Sequence, residues 1–516
     1  MKKGLKLFTL CFASLVLASC SMEDLYNAVV NELEPSETTP TNTTVEDDPD
    51  FVLSSHSKTL TVGASTQLTV KTTLEGTVNW ATSNEAVATV SNGLVNAVSV
   101  GDATITASLG DKSATCAVTV KDNVSWTIMI YMCGSDLESG GGTNARNASG
   151  LATGDIKEIL KVAGQPEDVN IIIQTGGAKV WKTTYGISSK NLERWHVANK
   201  SLVKDASLTY ASMGLASTFE SFLEWGLATY PADKTGVIMW NHGGGMTGVC
   251  FDEKKSDDSL LNSEVNKALS NVFTKLNRTE KLEFIGYDAC LMQVQDIAEY
   301  NSKYFNYMVA AEESEAGDGW DYDNWVDDLY AKRDTEDILK EICDTFIADN
   351  DTINYANDQT LSVLDLSKIG TYREAFENLA TALGKKITTS NKSSFGTLLS
   401  KVKMYAVDDS GSNYYYGLYD VKDFLTKLSS NSTFNPGATY IDAVKAAFND
   451  LVIYSKIGKD AGNSNGLCLC WGITSDTQEF YIASETNFKK WQLLSDTYGG
   501  TESSSSGWDD WGGWSW

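Results

Sequence analysis

The chain has 516 residues, 42% of them hydrophobic and 21% charged, with 41 basic against 68 acidic side chains and a net charge of −27. That length exceeds one ordinary domain, and the balance is that of a globular protein. So strong a negative charge argues against nucleic acid as a partner, and beyond the N-terminal leader no apolar run of 18 or more residues could span a membrane.

The N-terminus reads as a targeting segment: Lys2 and Lys3, an apolar stretch over 5–18, then Leu17-Ala-Ser-Cys20. That tetrapeptide resembles a bacterial lipobox. Residues 1–20 are therefore expected to be a lipoprotein signal peptide, with Cys20 lipidated and first in the mature chain. Ser21, rather than Asp, follows it, which favours the outer membrane. The expected location is the bacterial cell envelope, lipid-anchored, with display at the surface compatible. Residues 21–50, rich in Thr, Glu, Asp and Pro, read as a flexible tether.

Residues 51–121 alternate in period two between turn residues, as in Ala103-Thr-Ile-Thr-Ala107 and Cys116-Ala-Val-Thr-Val120. Short strands at this spacing predict an all-β sandwich. The stretch Val78-Asn-Trp-Ala-Thr-Ser-Asn-Glu-Ala-Val-Ala-Thr-Val90, with Gly93, Val95 and Gly101-Asp-Ala-Thr-Ile-Thr-Ala107, resembles the bacterial Ig-like group 2 domain. Such domains serve as spacers or adhesive modules. No chemistry is visible here, and His56 reads as solvated.

From 124 the pattern becomes alternating strands and helices, over 124–498. Apolar strands are predicted at 126–132, 169–175, 192–197, 236–240, 284–287, 307–313 and 466–471. Helices are predicted at 155–163, 219–230, 263–276 and 291–300, and from about 335 onward the chain reads as mostly helical. This alternation predicts an α/β fold, a mostly parallel sheet flanked by helices. Residues 499–516, Ser/Gly-rich with four tryptophans, read as a disordered tail.

Two of these strands end in chemistry. Gly236-Val-Ile-Met-Trp240 runs into Asn241-His242-Gly243-Gly244-Gly245, and Phe284-Ile-Gly-Tyr287 runs into Asp288-Ala289-Cys290. In an open α/β sheet, ligands sit outside the carboxyl ends of the strands. His242 and Cys290 are therefore expected on one edge, where an imidazole beside a thiol makes an activated nucleophile. The chain holds only three histidines, so few others could serve as base. The predicted helix after Cys290 would lower the thiol's pKa. The N–H groups of Gly243 and Cys290 are candidate oxyanion donors. His196 and Cys133 read as structural. Once Cys11 and Cys20 are set aside, seven scattered cysteines remain of the nine, too irregular for a disulfide framework and, with so few histidines, no zinc site.

The motifs Trp126-Thr-Ile-Met-Ile-Tyr-Met-Cys-Gly-Ser-Asp-Leu-Glu138, Trp240-Asn-His-Gly-Gly-Gly245, Gly286-Tyr-Asp-Ala-Cys-Leu-Met292 and Ala311-Glu-Glu-Ser-Glu-Ala-Gly-Asp-Gly-Trp320 together resemble the clostripain family of cysteine peptidases. The resemblance implies a caspase-like sandwich, a dyad of His242 and Cys290, and cleavage of protein or peptide substrates after basic residues, with Arg often preferred over Lys. It also implies that Asp288 and Asp318 hold the basic side chain. Independently, a carboxylate two residues before the nucleophile disfavours thiolate, so its value lies in binding a cation. Asp288 could instead cap a helix, and Asp318 could be a plain turn residue. Family members are typically zymogens cut between the His and Cys motifs. Lys254-Lys255 lies in that interval and fits such an autocleavage site. Some relatives need calcium. Asp252, Glu253, Asp257 and Asp258 could supply oxygens, but not at EF-hand spacing. A monomer is expected. The alternative is a cell-surface adhesion or binding lipoprotein on an inactive peptidase fold, and a peptidase of non-basic preference would require Asp288 or Asp318 to be misplaced.

Overall fold

The computed structural model describes residues 50–63, 65–121, 124–140, 150–331, 333–350, 357–407, 417–472 and 487–499. Cys20 with the signal peptide, the tether up to 49 and the tail from 500 lie outside the described residues. The chain divides into two compact units, Met1–Lys121 and Asp122–Trp516. Among the described residues no helix is long and apolar enough to cross a membrane.

The first unit is all β. Ser57–Thr61, Lys112–Lys121, Gly101–Leu109 and Asn79–Thr82 form a four-stranded sheet, and Ser65–Gln67, Leu94–Ala97 and Ala88–Ser91 a three-stranded one. The period-two pattern has its expected consequence. Ala103, Ile105 and Ala107 alternate inward with Cys116, Val118 and Val120 to form one core with Phe51 and Val95. Exposed His56 sets its Nδ1 3.1 Å from the Thr115 carbonyl.

The second unit is built on a nine-stranded sheet. Its strands in chain order are β1 (Trp126–Cys133), β2 (Val169–Gly176), β3 (Asn191–Ala198), β4 (Ser201–Thr209), β5 (Lys234–Trp240), β6 (Leu282–Asp288), β7 (Phe305–Ala310), β8 (Thr360–Asp365) and β9 (Val452–Ile457). They lie in the order β4-β3-β2-β1-β5-β6-β7-β8-β9. The central five, β2-β1-β5-β6-β7, are parallel, and antiparallel pairs extend the sheet at both ends. All eight residues of β1 are buried, as a strand covered on both faces requires. Its odd and even residues feed opposite cores. Met129, Tyr131 and Cys133 pack toward α2 (Ala216–Thr229) and α3 (Asn262–Lys275), whereas Ile128, Ile130 and Met132 pack toward α1 (Leu151–Lys161) and α5 (Tyr322–Tyr330).

Three readings change. No helix directly follows Cys290: α4 spans only Gln295–Asn301, preceded by Leu291 at φ 67° and by bonds from Leu291 N–H to the Glu313 carbonyl (3.2 Å) and Gln293 N–H to the Ala311 carbonyl (2.9 Å). These long-range bonds override the local helical signal. The strand expected over 307–313 ends at Ala310, which leaves the carboxylates after it in a loop. Cys468–Cys470 pairs with Leu418–Asp420 in a separate two-stranded sheet, while β8 and β9 complete the main one.

Candidate active site

The chain runs from β1 outward to β2, β3 and β4, returns to β5 beside β1, and then proceeds outward on the other side. The reversal between β1 and β5 is the switch point at which such sheets open a crevice beyond their carboxyl ends. Register puts the relevant tips side by side: Met132 is opposite Trp240, and Trp240 is opposite Asp288. Asn241 clips the tips together. Its N–H donates to the Asp288 carbonyl at 3.2 Å, its Nδ2 to the Cys133 carbonyl at 2.7 Å, and its Oδ1 accepts from Phe251 N–H at 2.7 Å.

His242 and Cys290 leave from these tips and line one pocket with Leu137, Trp240, Asp288, Ala289, Glu315 and Gly317. Gly243 is where the two loops touch, because a Cβ there would collide with the Cys290 carbonyl. Among the described residues no backbone carbonyl accepts from the Gly243 or Cys290 N–H. His242 Nε2 lies 2.8 Å from Asp136 Oδ1, and Asp136 belongs to the short helix Ser135–Ser139 just past β1. Burial would raise Asp136, but the hydrogen bond and charge of His242 outweigh it and hold the carboxyl at about 2.

The thiol is set differently from expectation. Glu315 N–H donates to Cys290 Sγ at 3.1 Å, and Sγ faces the Glu315 carbonyl at 3.8 Å. Burial, followed by the Glu315 carboxyl charge, pushes the Cys290 thiol up to about 12, opposed only in part by the Glu315 N–H. With no helix N-terminus at Cys290, nothing of that kind lowers it.

Asp288 caps no helix. Its Oδ2 accepts from Tyr322 OH at 2.9 Å and, at 3.5 Å, from Trp320 N–H. Gly319, at φ 65°, faces its Oδ1, and a Cβ there would stand 3.0 Å from that atom. Burial lifts Asp288 to about 7 against the pull of these hydrogen bonds. Behind it, buried Asp155 accepts from Trp240 Nε1 at 2.6 Å and is raised by burial and by the charge of Asp288. Asp318 is half-buried between Gly317 and Gly319, which line the pocket, and its charge reaches Asp155.

Lys254 and Lys255 close a short 3-10 turn, Glu253–Lys255. Lys254 Nζ sits 3.6 Å from the centre of the Tyr210 ring and bonds the Ser189 carbonyl, while Lys255 is exposed. Calcium finds no fit here. Asp252 spends its oxygens on Tyr210 OH, Met213 N–H and Lys254 N–H, and Glu253 serves Ser139 and Lys179. Among the described residues no three His, Cys, Asp or Glu side chains gather as a metal site. His196 Nδ1 is 2.7 Å from Asp205, Cys133 is buried under Gly177, and the seven cysteines of the described residues are free.

Residues 130–511 match the profile of the clostripain family. The chain belongs to the clostripain family. Clostripain of Hathewaya histolytica is 24% identical over 303 residues, which cover 50% of this chain and 57% of clostripain. The chain thus matches little more than half the length of that relative. Among solved structures, an inactive zymogen C11 protease from Parabacteroides distasonis shares the fold at TM-score 0.51 and 18% identity, covering 72% of this chain and 99% of its own. A secreted C11 cysteine protease from Bacteroides thetaiotaomicron, bound to an irreversible peptide inhibitor, does so at TM-score 0.50 and 15% identity, covering 70% and 99%. Residues 49–120 match the bacterial Ig-like group 2 domain. Within the clostripain-family unit, residue-level reading missed Asp136, Asn241, Asp155 and Glu315. The signal for Asp136 was present: a carboxylate three residues past the tip of a third parallel strand.

Proposed function

We propose that this clostripain-family chain is a cysteine endopeptidase that cleaves after Arg or Lys by a dyad of Cys290 and His242. The observation that carries the reading is the register that brings both tips to one pocket with buried Asp288. An Nε2–H shared with Asp136 leaves His242 Nδ1 as the acceptor. A thiol near 12 holds almost no thiolate at neutral pH, so its proton leaves in step with attack on the scissile carbonyl. His242 takes that proton and returns it to the leaving amine. The N–H groups of Gly243 and Cys290 receive the oxyanion, while Asp288 and Asp318 receive the basic side chain.

The same reading includes self-processing at Lys254-Lys255, supported by a turn joined to the His242 strand through Val249–Asp252. It also includes a lipid anchor at Cys20, with the Ig-like unit as a spacer from the outer membrane. The test gives purified residues 21–516 and Cys290→Ala fluorogenic peptides ending in Arg, Lys, Asp or Leu. Turnover after Arg or Lys that vanishes in the variant supports the proposal. Turnover after Asp or Leu retains the dyad and discards the acidic pocket. No turnover at all favours the binding lipoprotein.

A further inference from the structure

Cys290 has no helix to seat it, because α4 begins only at Gln295. The loop after β7 seats it instead. The Ala311 and Glu313 carbonyls accept from Gln293 and Leu291 N–H, at 2.9 and 3.2 Å, and fix the turn that carries the thiol. Two peptide units then face Sγ itself. The Ser314–Glu315 unit points its N–H at Sγ from 3.1 Å, and the Glu315–Ala316 unit points its carbonyl at Sγ from 3.8 Å.

Each of these units is held at its other end by one side chain. Gln359, 5% exposed just before β8, donates from Nε2 to the Ser314 carbonyl at 3.1 Å and accepts at Oε1 from Ala316 N–H at 2.7 Å. A peptide unit is planar and trans, so a bond at its carbonyl end sets where its N–H points, and the reverse. Gln359 is itself fixed, since its carbonyl accepts from Gly458 N–H at 2.8 Å. The next residue, Thr360, accepts at Oγ1 from Glu312 and Glu313 N–H at 3.0 and 3.1 Å, which ties down the start of the same loop. An amide suits this place, where one end must donate and the other accept.

We propose that Gln359 is a positioning residue for the reaction: by bracing the two peptide units that face Sγ, it aims the Glu315 N–H that stabilises the thiolate as the proton leaves. This rests on the reading of Cys290 as nucleophile. The Glu315 N–H works against the burial and acidic neighbours that push the thiol up, and no helix N-terminus stands in for it. Without the brace both units are free to rotate, and the donor turns from Sγ.

The test measures turnover, iodoacetamide labelling of Cys290 by peptide mass, and thermal melting on residues 21–516 and two variants. Gln359→Met keeps the length and removes both bonds. It is expected to lower kcat about tenfold with KM within about twofold of wild type. It should also slow labelling of Cys290 at pH 8.5 by about threefold or more, because the thiolate loses its donor. Gln359→Glu retains the acceptor, and its carboxyl offers the missing donor only when protonated, which burial favours. Its loss in kcat relative to wild type should therefore be large at pH 8.5 and shrink at pH 5.5. A residue that only supports the fold would lower the melting temperature and leave labelling unchanged or faster. That result, a loss confined to KM, or a Gln359→Glu loss equal at both pH values overturns the proposal. Should Gln359→Met not fold, Gln359→Glu decides. Should the wild type turn over no peptide, the peptidase reading fails, and the labelling rates alone decide the role of Gln359.

Discussion

Asp136 Oδ1 and His242 Nε2 meet at 2.8 Å across the switch point of the sheet, joining the loop after β1 to the tip of β5. The contact fixes the ring's tautomer and aim, as a carboxylate partner does for a working imidazole. The Asp136 side chain is 56% exposed, so solvent screens the pair and its contribution is one of orientation more than energy. Asp136→Ala is expected to lower kcat roughly tenfold, about 1.4 kcal/mol of barrier, with KM little changed. Steady-state kinetics of the variant checks this. Any stability the pair adds is present above the ordinary Asp value and is lost as pH falls toward 2.

Cys290 should resist alkylation. With the thiol held near 12, its reaction with iodoacetamide should climb about tenfold per pH unit from 7 to 9 with no inflection. Removing the second cause, in Glu315→Gln, should speed it. A rate plateau near pH 8 in the free protein would contradict this account.

Asp288 links binding to pH. Burial raises it to about 7, so below that pH the pocket carries less charge and, under the proposed specificity, a basic substrate should bind less well. KM for an Arg peptide should therefore fall as pH rises from 6 to 8. The stability effect has the opposite direction. A carboxyl raised in the folded state binds more protons there than when unfolded, so its stabilisation is full below the ordinary Asp value and is lost as pH rises through 7. Asp288→Asn should melt higher than wild type at pH 8, less so at pH 5, and lose activity on both Arg and Lys peptides. Thermal melts at the two pH values decide the first point.

Gly243→Ala should damage both fold and function. A Cβ at that position would collide with the Cys290 carbonyl oxygen and stand 3.1 Å from both the Cys290 nitrogen and the Ala289 Cβ, so the loops must part. Overpacking of this kind costs about 1–3 kcal/mol, and displacing the nucleophile's turn should reduce kcat by about a hundredfold or more. Denaturant unfolding and turnover report the two effects separately.

Processing should fall after Lys255 rather than Lys254. The Lys254 ammonium is spent on Tyr210 and the Ser189 carbonyl, whereas Lys255, Ser256 and Asp257 are exposed, the last two at φ 57° and 58°. Intact-mass analysis should find a break between Lys255 and Ser256 in the wild type, none in Cys290→Ala, and a strongly reduced cut in Lys255→Ala.

What the sequence determined by itself is what local pattern encodes. A strand buried on both faces must be apolar throughout, so its polar tip announces itself; this made Trp240-Asn-His and Tyr287-Asp-Ala-Cys legible, and period-two alternation did the same for the Ig-like unit. Tertiary structure alone decided which charges meet. Asp136 and His242 are 106 residues apart in sequence, and only the reversal between β1 and β5 joins them. The turn after Cys290 looks helical locally, yet its bonds to the 311–315 loop hold Leu291 in a left-handed conformation and remove the helix N-terminus from the thiol. Edge strands β4 and β9, half-exposed, carry too weak a pattern to be told from loop or helix. The setting of Glu315 against Asp288 is likewise a matter of burial and of two carboxyls brought together, quantities that no spacing of residues records.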